Sequence, residues 1–269
     1  MYPVVFRFET PNFLRSFLPD HITLYSYGLL IAIGILTSYW FMSKRVKKFG
    51  INQDQLSTIF VWSIVAGFVG GKVFFFLEDA SKFIQDPQSM LKISGGGFVF
   101  YGSVLFVIPT IILWLRKHKI PVRPFLDILA YVGPIAQGFG RVGCFMAGCC
   151  HGKVCDNWLG VTFSHPKTLA NPMNTPLYPT QLFDIGINLV IVITLLWLEK
   201  RKTFDGQLML VYMVMYAVGR SINEIYRGDV ARGFVFNGAL SHSQFIALCI
   251  LAVCSYVWFR WSKLPSEKL

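Results

Sequence analysis

Charge is what this chain has least of. Of its 269 residues only 14% are Asp, Glu, Lys or Arg, where water-soluble domains carry roughly a quarter, and 54% are hydrophobic. So little charge cannot cover a soluble surface, and the apolar residues gather in runs long enough to span a bilayer, which reads as a polytopic membrane protein. Acidic residues are scarcer still, 14 against 25 Lys and Arg. The resulting net charge of +11 would suit nucleic acid, but the basic residues fall in short blocks between apolar runs and no RNA- or DNA-binding motif is present, so nucleic acid is not an expected partner. A cleavable leader is not expected either. The first twenty residues hold Pro3, Pro11, Asp20 and two arginines without a continuous apolar core, so the first span is expected to act as its own insertion signal. Internal repeats and low-complexity tracts are not evident, and residues 1–269 are read as a single integral membrane domain. No two cysteines have the CxxC spacing of structural zinc sites.

What the chain does have is seven apolar runs, at about 25–42, 56–76, 98–115, 125–145, 180–198, 207–225 and 243–258. Basic blocks follow every second boundary: Lys44-Arg45-Val46-Lys47-Lys48, then Arg116-Lys117-His118-Lys119, then Lys200-Arg201-Lys202, then Arg260 and Lys263. With seven spans these all fall on one side, which the positive-inside rule makes cytoplasmic. The expected fold is all-α, a bundle of about seven transmembrane helices with the N-terminus outside and the C-terminus cytoplasmic. Aromatic residues at 16% fit interfacial anchoring. Gly67, Gly70 and Gly71 predict a close helix-packing face, and Lys72 beside them is expected to snorkel to the outer interface.

Arg141 stands at the end of the fourth run, between Gly140 and Gly143. A charge at membrane depth costs about 2.5–3.5 kcal/mol on insertion scales, so it is rarely without function. A permanently charged planar fork suits phosphate. In the sixth run Tyr216, Arg220, Glu224 and Arg227 are spaced four, four and three apart and form one polar ridge on an apolar helix. Such a ridge must face the protein interior or a water-filled cavity. Glu224 is expected to hold both arginines, and the spare positive charge invites an anionic ligand. Both features, with the long loop 152–178, fall on the outer side of the predicted topology.

Four of the six cysteines lie within Cys144–Cys155, around His151. Three readings stay open: a thiophilic metal site made of Cys144, Cys149, Cys150, His151 and Cys155; disulfides on the oxidising side; or, as default, small weakly polar residues that let backbones close around a ligand. Cys249 and Cys254 read as ordinary core. His151 is a candidate general base.

These residues carry a resemblance. Gly140-Arg141-Val142-Gly143-Cys144-Phe145 with Gly148 and Gly152 resembles the signature of the bacterial prolipoprotein diacylglyceryl transferase family. So do Tyr178-Pro179-Thr180-Gln181-Leu182-Phe183-Asp184, the Tyr216–Arg227 ridge, Tyr25-Ser26-Tyr27-Gly28-Leu29 and Gly70-Gly71-Lys72, in order along nearly the whole chain. The resemblance implies an enzyme of the bacterial cytoplasmic (inner) membrane with its active site towards the periplasm. It would move the diacylglyceryl group of phosphatidylglycerol onto the lipobox cysteine thiol of a preprolipoprotein, forming a thioether and releasing glycerol 1-phosphate, with no cofactor or metal. Arg141 and Arg220 would bind phosphate and stabilise the leaving group, Glu224 and Arg227 would orient them, and Tyr27 and Tyr216 would line the headgroup pocket. Gly140, Gly143, Cys144 and Gly152 would bring backbone against the lipid. The chain departs from the family where Tyr101-Gly102-Ser103 stands in place of histidine–glycine–glycine, which leaves three alternatives: Tyr101 as base, His151 as base, or no strong base because the thiol ionises near the arginines. Two other classes compete: a transporter or scramblase of anionic amphiphiles, and a membrane metal or redox protein built on the cysteines.

Overall fold

A computed structural model of the protein describes residues 2–9, 21–78, 80, 97, 99–227, 234–235 and 240–267. Among them are seven α-helices: α1 (Ser26–Arg45), α2 (Gln53–Glu78), α3 (Phe100–Lys117), α4 (Val122–Ala147), α5 (Thr180–Glu199), α6 (Gln207–Tyr226) and α7 (His242–Trp261). Each covers one predicted run, and the fold class is all-helical as expected. Four of them are long and apolar enough to cross a bilayer: α1 with the 3-10 turn that follows it, α2, α5 and α7. Helices α4 and α6 carry ionisable groups inside, Asp127 and Arg141 in one, Arg220 and Glu224 in the other, which dilutes their hydropathy.

Among the described residues three antiparallel strand pairs lie outside the helices, and the sequence reading did not anticipate them. They pair β1 (Val4–Glu9) with β2 (His21–Tyr25), β3 (Val161–Thr162) with β4 (Pro176–Leu177), and β5 (Phe234–Val235) with β6 (Leu240–Ser241). Two-residue strands leave no period to read, whereas the longer pair alternates visibly in Phe6-Arg7-Phe8-Glu9 and in His21-Ile22-Thr23-Leu24.

The described residues form two compact units, one within Met1–Met42 and Leu126–Ser266, the other within Ser43–Phe125 with Glu267. In the second unit α2 and α3 are brought together by glycine. A β-carbon at Gly70 would strike the Gly102 carbonyl and lie 2.7 Å from Phe106, and one at Gly102 would lie 2.6 Å from Phe74. Ser103 donates its hydroxyl to the Gly67 carbonyl at 2.7 Å. The expected packing face is there, as small residues allow in membranes. Lys72 departs from expectation: its ammonium is buried, 5.7 Å from the Phe75 ring centre, instead of reaching outward.

In the first unit Ala130 and Tyr131 of α4, Ile191 and Leu195 of α5 and Leu208 of α6 make the main core. A satellite core of Phe163, Ala170 and Leu177 sits under the 152–178 loop. Helix α6 is started by a carboxylate from α4. Buried Asp127 accepts from the backbone N–H of Gly206 at 3.0 Å and of Leu208 at 2.8 Å, and pairs with Lys202 at 2.8 Å. This satisfies amides that a helix N-terminus otherwise leaves without partners. Burial opposes the charge on Lys202, but the bond to Asp127 and the charges of Asp127 and Asp205 outweigh it and hold its pKa above the ordinary lysine value.

Candidate active site

Helices α4, α5 and α6 each deliver part of the site, all within the first unit. Arg141 lies near the end of α4, and its Nε is 3.0 Å from Oδ2 of Asp184 on α5. Asp184 is buried, and its other oxygen accepts from Asn223 Nδ2 of α6 at 2.7 Å. Asn223 also donates to the Thr180 carbonyl at 3.0 Å, and Asn188 donates to the Asp184 carbonyl at 2.8 Å. One carboxylate therefore fixes the arginine fork, and two amides fix the carboxylate and its backbone, the sort of outer support that holds a charged group in one pose.

On α6 Tyr216, Arg220 and Glu224 share one ridge as predicted, while Arg227 lies just past the helix end on extended backbone and leaves it. Arg220 pairs with Glu224 one turn on at 2.5 Å and reaches Ser243 Oγ at 3.5 Å. Tyr216, one turn before Arg220, is hydrogen-bonded by Arg141 and lies in the fields of Arg141, Asp184 and Arg220. The two arginines thus converge on one tyrosine from different helices. Glu224 takes Arg220, while buried Arg227 ends the helix with its backbone N–H on the Glu224 carbonyl at 3.2 Å and its charge beside Cys150. Three guanidiniums share this region with two carboxylates.

The end of α4 explains how the cysteines meet. Gly148 has φ +77, a left-handed conformation that glycine adopts without cost. Its N–H bonds to the Phe145 carbonyl at 3.2 Å and the Cys149 N–H to the Cys144 carbonyl at 3.1 Å. That is a Schellman cap, which folds the second residue past the helix back over the fourth residue from its end. Here those two residues are Cys149 and Cys144. Cys150 follows with φ +61, and the three thiol sulfurs of Cys144, Cys149 and Cys150 lie within 4.8 Å of one another. The carbonyls of Cys149 and Cys150 are held by fully buried side chains of α5, Gln181 Nε2 at 2.6 Å and Thr180 Oγ1 at 2.7 Å. Hydrogen bonds from the Cys144 and Cys149 thiols, then Arg227 and Arg141, push the Cys150 thiol well below its ordinary pKa, and the same thiol contacts push Cys149 up. All six cysteines are free thiols. Cys155 stands apart and bonds Asn157 at 3.1 Å. Cys254 is core as expected, whereas Cys249 is exposed on α7.

Tyr27 of α1 lies beside Arg141 and the three thiols. Gly143 permits this approach, since a β-carbon there would sit 3.0 Å from the Tyr27 ring. A β-carbon at Gly140 would meet nothing within 4 Å, so packing does not require that glycine. Gly152 is enclosed by Tyr178, Thr180 and the Tyr226 carbonyl, and it bridges to Arg227 in antiparallel fashion.

Two expected bases fare differently from the arginines. His151 has both ring nitrogens engaged with backbone: Nδ1 with the Gly152 carbonyl at 2.9 Å, Nε2 accepting from the Asn171 N–H at 3.3 Å. That is the arrangement of a loop clamp. Tyr101 belongs to the other unit and is exposed at the start of α3. The sequence reading missed Asp184, Asn223, Gln181 and Thr180 as site residues. A signal existed: Gln181, Asp184 and Asn188 recur at three and four on an otherwise apolar helix, and Asn223 falls seven residues after Tyr216 on the same ridge.

Apolar helices around a half-buried, carboxylate-braced pair of arginines describe a helical membrane protein with a built polar site. The family model for prolipoprotein diacylglyceryl transferase matches residues 16–260, and the chain belongs to that family. It is 36% identical over 237 residues to the phosphatidylglycerol–prolipoprotein diacylglyceryl transferase of Clostridium tetani (strain Massachusetts / E88), covering 88% of this chain and 93% of that one. It is 35% identical over 247 residues to phosphatidylglycerol–prolipoprotein diacylglyceryl transferase 2 of Clostridium perfringens (strain 13 / Type A), covering 92% and 94%. A relative from Legionella pneumophila (strain Lens) bearing the first of these names is 29% identical over 242 residues, with coverage of 88% and 91%.

Proposed function

We propose that this protein transfers the diacylglyceryl group of phosphatidylglycerol to the lipobox cysteine thiol of a preprolipoprotein, leaving glycerol 1-phosphate. The observation that carries the reading is the convergence of Arg141 and Arg220 on Tyr216, each fork braced by its own carboxylate. Guanidiniums fixed before substrate arrives stabilise charge as it develops on the departing phosphate without reorganising. Tyr216 and Tyr27 flank the headgroup, Arg227 adds positive charge, and Glu224 and Asp184 are positioning residues. The site glycines Gly140, Gly143 and Gly152 and Cys144 bring backbone close to the lipid. His151 serves as a clamp of the loop.

The whole chain is read as one integral domain with all seven helices across the bacterial inner membrane. The basic helix ends lie in the cytoplasm, the N-terminus is outside, and the site opens to the periplasmic leaflet. The test is direct. Purified protein incubated with phosphatidylglycerol and a lipobox peptide is expected to release glycerol phosphate and to give a peptide heavier by one diacylglyceryl group, and Arg141→Ala is expected to lose both. Normal turnover in that variant would overturn the mechanism.

A further inference from the structure

We infer that Cys144, Cys149 and Cys150 form a three-sulfur zinc site whose fourth position accepts the thiol of the incoming lipobox cysteine. The inference rests on the transferase reading above for its reaction, but the metal site stands on geometry alone. Three sulfurs already lie within 4.8 Å of one another. Zinc–sulfur bonds of about 2.3 Å in a tetrahedral site separate the sulfurs by roughly 3.8 Å, so closing on the ion asks for movements of about 1 Å. Zinc sites that keep three protein ligands and one open position are the catalytic kind.

The cluster is built, not incidental. A Schellman cap sets Cys149 over Cys144, and Gln181 and Thr180 pin the backbone of both loop cysteines. Such second-layer bonds orient metal ligands. Cys144 is buried and the other two are half-buried, so the loop cysteines keep partial access. Three thiolates and one zinc ion carry net negative charge, and a fourth thiolate adds to it. Arg227 and Arg141 beside Cys150 supply the compensation.

Such an ion would also have a task in the site. The attacking thiol must lose a proton, yet His151 has both ring nitrogens on backbone, and Asp184 and Glu224 are each paired with arginine. A thiol bound to zinc is deprotonated outright. The substrate thiol gives its proton to bulk water as its sulfur binds. A sulfur lone pair then attacks the glyceryl carbon bearing the phosphate ester. That carbon–oxygen bond breaks with its electron pair on oxygen, and glycerol 1-phosphate leaves against Arg141 and Arg220. The thioether formed is a weak ligand and departs, and no electron acceptor or donor is consumed.

The full chain, purified in detergent and stripped of metal, is titrated with cobalt(II) as a spectroscopic stand-in for zinc. One cobalt per chain with thiolate-to-metal charge-transfer absorption is expected, lost in Cys149→Ser and in Cys150→Ser and kept in Cys249→Ser. A lipobox peptide should then shift the spectrum, and the same peptide with serine for cysteine should not. Chelation should slow diacylglyceryl transfer about a hundredfold, the size of a lost proton-transfer contribution, and zinc should restore it. Absence of the thiolate band in the wild-type protein, or a disulfide among the three cysteines by mass spectrometry, overturns the site. Full transfer after chelation overturns its role and leaves the transferase reading intact. A cobalt site that binds the thiol peptide with no glycerol phosphate ever released supports the site and sinks the transferase reading instead.

Discussion

Arg141 and Asp184 show how one side chain's worth depends on another's placement. Replacing Asp184 by asparagine keeps the shape but removes the charge that holds the Arg141 Nε. Loss of that positioning is expected to lower kcat by about 10²-fold with the Km for phosphatidylglycerol little changed, as small misplacements of a catalytic group do. Arg141→Ala, which removes the leaving-group contact itself, is expected to cost about 10²–10³-fold or more in glycerol phosphate release. His151→Gln separates clamp from base. The pH–rate profile should keep its shape while thermal unfolding shifts by what two backbone hydrogen bonds contribute, about 1–3 kcal/mol. A missing limb in that profile would restore His151 as base. At this scale much was legible. Arg141, Arg220, Glu224 and Arg227 stand out because charge is rare in their runs. Asp184 did not, because the partner of a buried charge lies on another helix and single-sequence periodicity carries no information on which helices touch.

Helices here are joined by specific small devices. The α2–α3 contact depends on Gly70 facing Gly102. Gly102→Val is expected to push the pair apart at an overpacking cost of about 1–3 kcal/mol, readable as a lower unfolding temperature and reduced accumulation in membranes. The start of α6 depends on Asp127, so Asp127→Ala should orphan the Gly206 and Leu208 amides as well as Lys202, again measured by thermal unfolding. The pH sign is fixed by Lys202. Its pKa is raised on folding, so the contribution of its charge is complete below pH 10.5 and is lost as pH rises beyond that value; stability across pH 6–9 should not respond to Lys202. The seven helices were legible because each is a long apolar run. The two-residue hairpins were not, being too short for any period, and the meeting of the thiols was hidden in a cap geometry that Gly148 alone announced.

For the molecule as a whole, the alternation of basic helix ends is the topological statement. Lys44 and Arg45 close α1, Arg116 and Lys117 close α3, and Arg260 closes α7, with Lys200 and Arg201 just beyond α5. Single-cysteine labelling with an impermeant thiol reagent in intact cells should modify a probe in the 152–178 loop and spare one after Arg260. The reverse pattern would invert the topology and move the site to the cytoplasmic face.

Gly152 has a consequence of its own. Its N–H is bonded to the Tyr178 carbonyl at 2.8 Å, Lys153 to Tyr226 at 2.9 Å and Tyr178 back to Lys153 at 3.0 Å, so the exit from α4, the entry to α5 and the exit from α6 are sewn together at one point. Those amides have no independent way to open. In deuterium uptake they should therefore exchange as a single cooperative group, late and in step, and a change that loosens any one seam should release all three at once.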